Sequence, residues 1–284
     1  MKQIDQTDKP MKKVKWILPM AVAVLAAVSC GSSKTPKVLV LYYSQTSNTR
    51  AVAEIIQQKL GADIEEIVAV EPYAGSFQET IDRCMQERQA GTLPEIQPLR
   101  SDLSRYDIIF LGYPVWFGTY APPVAALLDQ VDLSGKKVVP FCTFGSGGLV
   151  SSVRDLAQKQ PEADILPGYG VRAARMAAAP AEIDQWLKAG AFLEGDYFKP
   201  EPFPASHAVS EAEATLFDEA VGNYPMLHAQ AREVASRAVP QGTEYLFTVT
   251  DLPREDQPDE PGKTFQVYVL ALDGEAPVFT QVVR

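Results

Sequence analysis

Lys37-Val-Leu-Val-Leu-Tyr-Tyr43, running straight into Ser44-Gln45-Thr46-Ser47-Asn48-Thr49, decides how this 284-residue chain folds. The first seven residues carry no charge after Lys37 and are rich in branched and aromatic side chains, as in a strand buried on both faces. Val52, Ile55, Ile56 and Leu60 then recur at helical spacing until Gly61, a residue suited to a helix end. The hydroxyl-rich hexapeptide therefore lies between the end of a buried strand and the first turn of a helix.

The alternation continues outward from there. Strands are expected at 64–70, 106–112 and 137–142, with a weaker one at 164–171; helices are expected at 77–89, 124–131, 149–158 and 181–189. Five strands separated by helices need long, right-handed crossovers, so the expected class is α/β, a doubly wound five-stranded parallel sheet. Ligands of such sheets bind beyond the carboxyl ends of the strands, where strand order reverses. The loops after Tyr43, Gly112 and Cys142 are thus where chemistry is expected.

In the first loop, four hydroxyls and the first N–H groups of a helix can surround an anion, and the helix dipole favours negative charge there. No Lys or Arg lies within Ser44–Thr49, which suits a phosphate monoester held by neutral donors. The segment matches neither Gly-x-x-x-x-Gly-Lys-Ser/Thr nor Gly-x-Gly-x-x-Gly, which argues against ATP and against a dinucleotide. A plain hydroxyl-rich helix cap is the alternative.

Together with two further segments, this loop resembles the flavodoxin family. Ser44-Gln-Thr-Ser-Asn-Thr49 is similar to that family's phosphate loop, with Ser47 standing where the family has glycine. Tyr106-Asp-Ile-Ile-Phe-Leu-Gly-Tyr-Pro-Val-Trp-Phe-Gly-Thr119 resembles the segment that lays an aromatic residue beside the isoalloxazine, and Phe141-Cys-Thr-Phe-Gly-Ser-Gly-Gly148 resembles the next flavin loop. The resemblance covers residues 37–189 and implies FMN as cofactor. It would place Ser44, Gln45, Thr46, Ser47, Asn48 and Thr49 at the phosphate. Pro114, Val115, Trp116, Phe117 and Gly118 would wall one side of the ring, and Thr143, Phe144, Gly145, Ser146 and Gly147 would form the other loop. The flavin would perform the redox step, with the protein supplying sterics and electrostatics.

The domain expected at 37–190 is followed by a Pro-rich linker, 191–209, containing Lys199-Pro-Glu-Pro-Phe-Pro204. Ser210-Glu-Ala-Glu213 is a capping box opening a helix. Beyond it the period drops to two, at Tyr245, Phe247 and Val249 and again at Phe265, Val267 and Val269, with Leu272-Asp-Gly-Glu275 as a hairpin turn. Arg254–Gly262 reads as a solvated loop. Residues 210–284 are therefore expected to be a small α+β domain of one helix and about four antiparallel strands. Val234–Tyr245 and Phe265–Val269 resemble the cystatin fold, but Arg237 stands where inhibitory cystatins have Gln, so the resemblance implies an interaction module and not protease inhibition.

The leader reads as an address. Lys12, Lys13 and Lys15 precede the apolar run Trp16–Ala27, which is too short to span a bilayer. Ala27-Val-Ser-Cys30 then resembles a bacterial lipoprotein processing site. Residues 1–30 are expected to be a signal peptide lipidated at Cys30, with 31–36 as a tether; an ordinary signal peptide with an incidental cysteine is the alternative.

The formal net charge is −10, and the leader holds five Lys against two Asp, so processing leaves a more acidic protein. Nucleic acid is excluded as a partner on that balance. Residues 37–189 contain no histidine, which rules out Ser-His and Cys-His nucleophile pairs in that domain. Cys84 and Cys142 are expected to be free thiols. No catalytic residue and no metal site is expected. Three functions stay open: a one-electron FMN carrier serving redox partner proteins or small electron acceptors, an FMN-dependent reductase of quinone-like substrates, and a tethered interaction module with a non-redox scaffold. Cys30→Ser should move the exported protein from the membrane fraction to the soluble fraction. Unchanged fractionation of an exported Cys30→Ser protein would defeat the lipoprotein reading.

Overall fold

The computed structural model describes residues 36–222, 224–225, 227–252 and 262–284. The expected signal peptide with Cys30, the expected tether up to residue 35 and all but the last residue of the expected 254–262 loop lie outside the described residues. In chain order the first domain contains β1 (Val38–Tyr42), α1 (Asn48–Leu60), β2 (Asp63–Glu66), α2 (Phe77–Ala90), β3 (Ile108–Trp116) and β4 (Thr119–Tyr120). It continues with α3 (Pro122–Gln130), β5 (Lys137–Phe144), α4 (Leu149–Lys159), β6 (Asp164–Ile165), β7 (Tyr169–Arg172) and α5 (Ala179–Ala189).

The strands lie in the order β2-β1-β3-β5-β6, with β7 also on β5, and all of these pairings are parallel. The expected fifth strand is split in two. Leu166-Pro-Gly168 interrupts it, because Pro167 has no N–H to give and a Cβ on Gly168 would stand 2.8 Å from the Pro140 carbonyl oxygen. Helices α1 and α5 cover one face through Val52, Ile56, Ile183 and Leu187. The other face is covered by α2, α3 and α4 through Cys84, Val124, Leu127 and Leu156. Cys84 and Cys142 are both buried and free, as expected. Burial pushes the Cys84 thiol up to about 11 and that of Cys142 higher still, so both are packed, protonated groups.

Local signals fix the helix ends. Ser76 and Glu79 complete a capping box at the start of α2, and Gly61 and Gly91 close α1 and α2 in the left-handed conformation. Pro122 and Pro123 open α3, where their missing N–H groups are not needed.

The second domain has β8 (His207–Ala208), α6 (Glu211–Val221), β9 (Ala229–Val239), β10 (Gly242–Asp251), β11 (Thr264–Leu272) and β12 (Val278–Val283). These strands form one antiparallel sheet, β12-β11-β10-β9-β8, with the expected alternation: Phe247, Val249, Phe265, Val267 and Val269 share a core with Phe217 of α6. The capping box at Ser210 and Glu213 is complete. The Pro-rich segment is more than a spacer, because it lies along the opposite face of this sheet. The Arg237 guanidinium donates to Glu244 Oε2 at 2.7 Å and to the Glu201 carbonyl at 3.0 Å, and sits 4.1 Å from the Phe203 ring. Phe203 in turn meets Tyr268 edge-on, and the segment ends by supplying β8. Its prolines had suggested only stiffness; Phe203 supplies the apolar contact that seats it.

Gly112 sits in the middle of β3, opposite Phe141 on β5. A Cβ there would lie 2.1 Å from the Phe141 ring, and Gly112 is buried. Gly112→Ala should therefore lower stability by about 1–3 kcal/mol, measurable by urea unfolding; an unchanged midpoint would mean that the ring has room to move aside.

Candidate functional site

Reversal of strand order between β1 and β3 opens a crevice at the carboxyl edge of the sheet. Three loops meet it: Tyr43–Ser47 after β1, the β3–β4 turn, and Gly145–Gly148 after β5.

The first loop enters α1 through Ser47, which has φ 67° and ψ −5° and makes no side-chain cap bond. A serine held in the left-handed region is strained, since its Cβ crowds the following carbonyl. The first turn of α1 carries no acidic residue, so its N–H groups are open to an anion. Ser44 Oγ is shut away from solvent and has no hydrogen-bond partner. A buried hydroxyl in that state is missing an acceptor or donor. Thr46 and Ser47 are exposed beside it. The neighbouring cation is already used: Arg50 Nη2 donates to both Glu66 oxygens, at 2.6 and 2.8 Å. Neutral donors are what this end of the helix offers.

Other residues of the loop face elsewhere. Gln45 donates to the Tyr73 carbonyl at 3.1 Å and to Thr80 Oγ1 at 2.8 Å, bracing the loop against α2. Thr49 is 1 % exposed and its hydroxyl pairs with that of Thr143 at 2.8 Å, joining α1 to β5 beneath the loop. Asn48 lies with its amide 3.5 Å from Thr46 Oγ1.

The second loop is tighter than the sequence suggests. Trp116 pairs with Thr119 across a two-residue turn in which Phe117 and Gly118 both have positive φ, 51° and 81°. That is the pattern of a type I′ hairpin, with a phenylalanine where small residues are usual. Trp116 is half-buried and meets Tyr43 and Tyr73 edge-on, with centroids 5.9 and 5.2 Å away. It is therefore partly a core residue, packed with two tyrosines whose phenols burial pushes upward in pKa. Phe117 is exposed, with Arg88 over its ring. Pro114 and Val115 are half-buried, and Val115 touches Gly148 closely enough that a Cβ on Gly148 would be 2.4 Å from it.

The Phe144 side chain points into the core and is 5 % exposed, so it does not line the crevice. The loop that follows is gripped from the second domain. The Val282 N–H donates to the Ser146 carbonyl at 2.7 Å, and Gly147 bridges Val282 in parallel. At the end of β7, Arg172 donates to the Gly145 carbonyl at 2.8 Å and to the Phe279 carbonyl at 2.9 Å. Its guanidinium lies 3.4 Å from the Phe279 ring, with Tyr224 beyond. Desolvation lowers the Arg172 pKa to about 10, which still leaves it charged at neutral pH.

A cavity of about 540 Å³ lies outside the crevice, between α2, α3 and α4, and of the three loops it meets only the β3–β4 hairpin, at Trp116, Phe117, Thr119 and Tyr120. A smaller one of about 210 Å³ opens between the ends of β1 and β2 and includes Ser44 and Gln45.

The model of the family described as Flavodoxin matches residues 37–189, just over half of the sequence. The chain belongs to the flavodoxin family. Solved structures similar to its flavodoxin domain include a proposed flavoprotein from Bacteroides eggerthii, 26 % identical, covering 55 % of this chain and 99 % of that one at a TM-score of 0.49. Another is a flavoprotein from Lactobacillus acidophilus in complex with FMN, 26 % identical, covering 54 % of this chain and 99 % of that one at a TM-score of 0.46. No match was found among curated proteins.

Sequence reasoning missed Tyr43, Tyr73 and Arg172. Tyr43 is legible as an aromatic at a strand end. Arg172 offers only a weak signal, a charge closing a buried strand, and its partner Phe279 lies 107 positions further on. Ser47→Gly should relieve the left-handed strain in the flavodoxin domain. Against the 1–2 kcal/mol of relief stands the extra unfolded-state entropy of glycine, leaving a gain of up to about 1 kcal/mol. Chemical denaturation of both proteins without ligand checks this; a loss of stability would show that the hydroxyl holds the loop.

Proposed function

We propose that the flavodoxin domain binds FMN with its phosphate at the first turn of α1, and that the protein is an electron carrier of the cell envelope, held to the membrane through lipid on Cys30. One observation carries the cofactor reading: in a flavodoxin-family domain, the buried Ser44 Oγ lacks a partner beside a helix start whose N–H groups are open and whose nearby arginine is already paired. A phosphate oxygen satisfies each of these groups without another cation.

The residues present fit the group. Ser44, Thr46 and Ser47 would hold the phosphate with the first-turn N–H groups. Trp116, fixed by Tyr43 and Tyr73, would stand against the ring system, and the 145–147 backbone would meet its polar edge. Thr49, Thr143 and Gln45 would keep the loop in shape. Bound FMN would supply the one- or two-electron redox chemistry. The lipid anchor is supported by the basic, apolar leader ending in Ala-Val-Ser-Cys30; no helix among the described residues is long and apolar enough to cross a membrane. An acidic chain of this kind suits basic redox partners. The second domain, cystatin-like in sequence pattern, is read as an interaction module.

A second reading, a two-electron reductase of quinone-like substrates, is favoured by the 540 Å³ cavity against Trp116 and Phe117. Steady oxidation of NAD(P)H with a quinone would select it over the carrier.

Ser44→Ala separates the phosphate role from folding. It should weaken FMN roughly tenfold or more, from the loss of a hydrogen bond to a charged group, and leave riboflavin nearly untouched. The ligand-free protein should be at least as stable, because an unsatisfied buried hydroxyl is gone. Fluorescence titration with both flavins reads this out. Equal losses for FMN and riboflavin would place the phosphate elsewhere, and a wild-type protein that binds neither would end the FMN reading.

A further inference from the structure

The loop after β5 is held by its carbonyl groups. The Gly145 oxygen accepts from Arg172 Nε, and the Ser146 oxygen accepts from the Val282 N–H. In a planar trans peptide the N–H points opposite to the C=O of the same plane. Fixing those two carbonyls toward Arg172 and β12 therefore turns the Ser146 and Gly147 N–H groups to the other side of the loop. Neither N–H has a protein acceptor among the described residues. The loop cannot easily rotate out of this arrangement. A Cβ on Gly147 would be 2.0 Å from the Val282 oxygen, and one on Gly145 would be 2.8 Å from the Tyr224 hydroxyl. On the next residue, Gly148 is packed against Val115.

The anchor is unusual in its own right. Arg172 is 8 % exposed, and among the described residues no carboxylate pairs with it. Its polar contacts are two backbone carbonyls, one in each domain, and its flat face lies on Phe279. A buried, uncompensated cation is a costly way to glue two domains together, since packed apolar residues would do as well. What the guanidinium adds is direction: its fork sets the Gly145 carbonyl and the Phe279 carbonyl in one fixed relation.

We propose that the second domain completes the flavin site: Arg172 is a positioning residue which, together with β12, aims the Ser146 and Gly147 N–H groups at the acceptor edge of the flavin ring. The proposal rests on the FMN reading above. It assigns the antiparallel domain a role in this chain's own cofactor binding, and it makes ring binding and domain docking reciprocal, because each holds the same two peptide planes.

Two measurements on the full exported chain test it. In the first, hydrogen exchange is followed in the wild-type protein with and without saturating riboflavin or FMN. Both flavins should slow exchange at Ser146 and Gly147, and also at Val282, whose N–H faces the second domain side of the loop. Exchange at Val282 that is indifferent to both flavins overturns the proposal. In the second, Arg172→Met keeps the length of the side chain and removes the fork. It should weaken FMN and riboflavin by the same factor, roughly tenfold or more, while Arg172→Lys recovers part of the loss. This differs from the FMN-selective loss expected of Ser44→Ala. Affinities within twofold of wild type in Arg172→Met, or a loss confined to FMN, overturn the assignment, the latter by showing that Arg172 acts only through its charge on the phosphate. A wild-type chain that binds neither flavin removes the FMN reading and this inference with it. If Arg172→Met does not fold, the wild-type exchange result decides alone.

Discussion

Strand β3 pairs in parallel with β1 on one side and with β5 on the other, and the whole carboxyl edge depends on that double pairing. Parallel neighbours need crossovers of one hand. The chain steps from β1 to β2 through α1 over one face; the steps the other way, β2 to β3 through α2 and β3 to β5 through α3, cross the opposite face, so α1 and α3 lie on opposite sides. The crevice between their connections is the result, and no side chain has to hold it open. The same register places Thr143 of β5 beneath the start of α1, where its hydroxyl meets Thr49. A long-range sheet pairing thus fixes the floor of a site whose walls are local loops.

Strain and unsatisfied polarity gather at this edge. The described buried side-chain atoms without partners are Ser44 Oγ, Arg50 Nε and Thr119 Oγ1; they belong to the loop after β1, the first turn of α1 and the strand leaving the hairpin. Ser47 and Phe117, two of the non-glycine residues with positive φ, lie at the same edge. The other buried side-chain N and O atoms among the described residues have partners. This division is typical of a scaffold that holds a few residues in unfavourable states for a purpose. It also fits the neutral character of the loop: with Arg50 tied to Glu66, the proposed affinity for a phosphate would come from the number and placement of donors.

Much of the first domain was legible in the sequence because its signals are local. Lys37–Tyr43 reads as a buried strand from composition alone, and Gly61 marks the end of α1 by its chemistry. The three site loops could be named from strand ends plus the flavodoxin resemblance. What the sequence hid is tertiary. Gln45 looks like a ligand residue until Thr80 claims its amide, and Phe144 looks like part of a flavin loop until β5 proves two residues longer and points it inward. Trp116 could not be weighed without Tyr73, which comes from a loop more than forty positions earlier. The Pro-rich segment gave no sign that Arg237 would fasten it to the second sheet, nor that the last strand would bond to the loop after β5.

The notch at Gly112 has a bearing on how this protein can vary. The space a side chain would take on β3 is filled by the Phe141 ring from the neighbouring strand, so two positions on different strands share one volume. Neither can drift alone: a lineage that gains a methyl at 112 must first shrink the residue at 141, and one that enlarges 141 can never leave glycine. Related sequences should therefore carry these two positions as a coupled pair, exchanging bulk across the strand boundary while their sum stays constant.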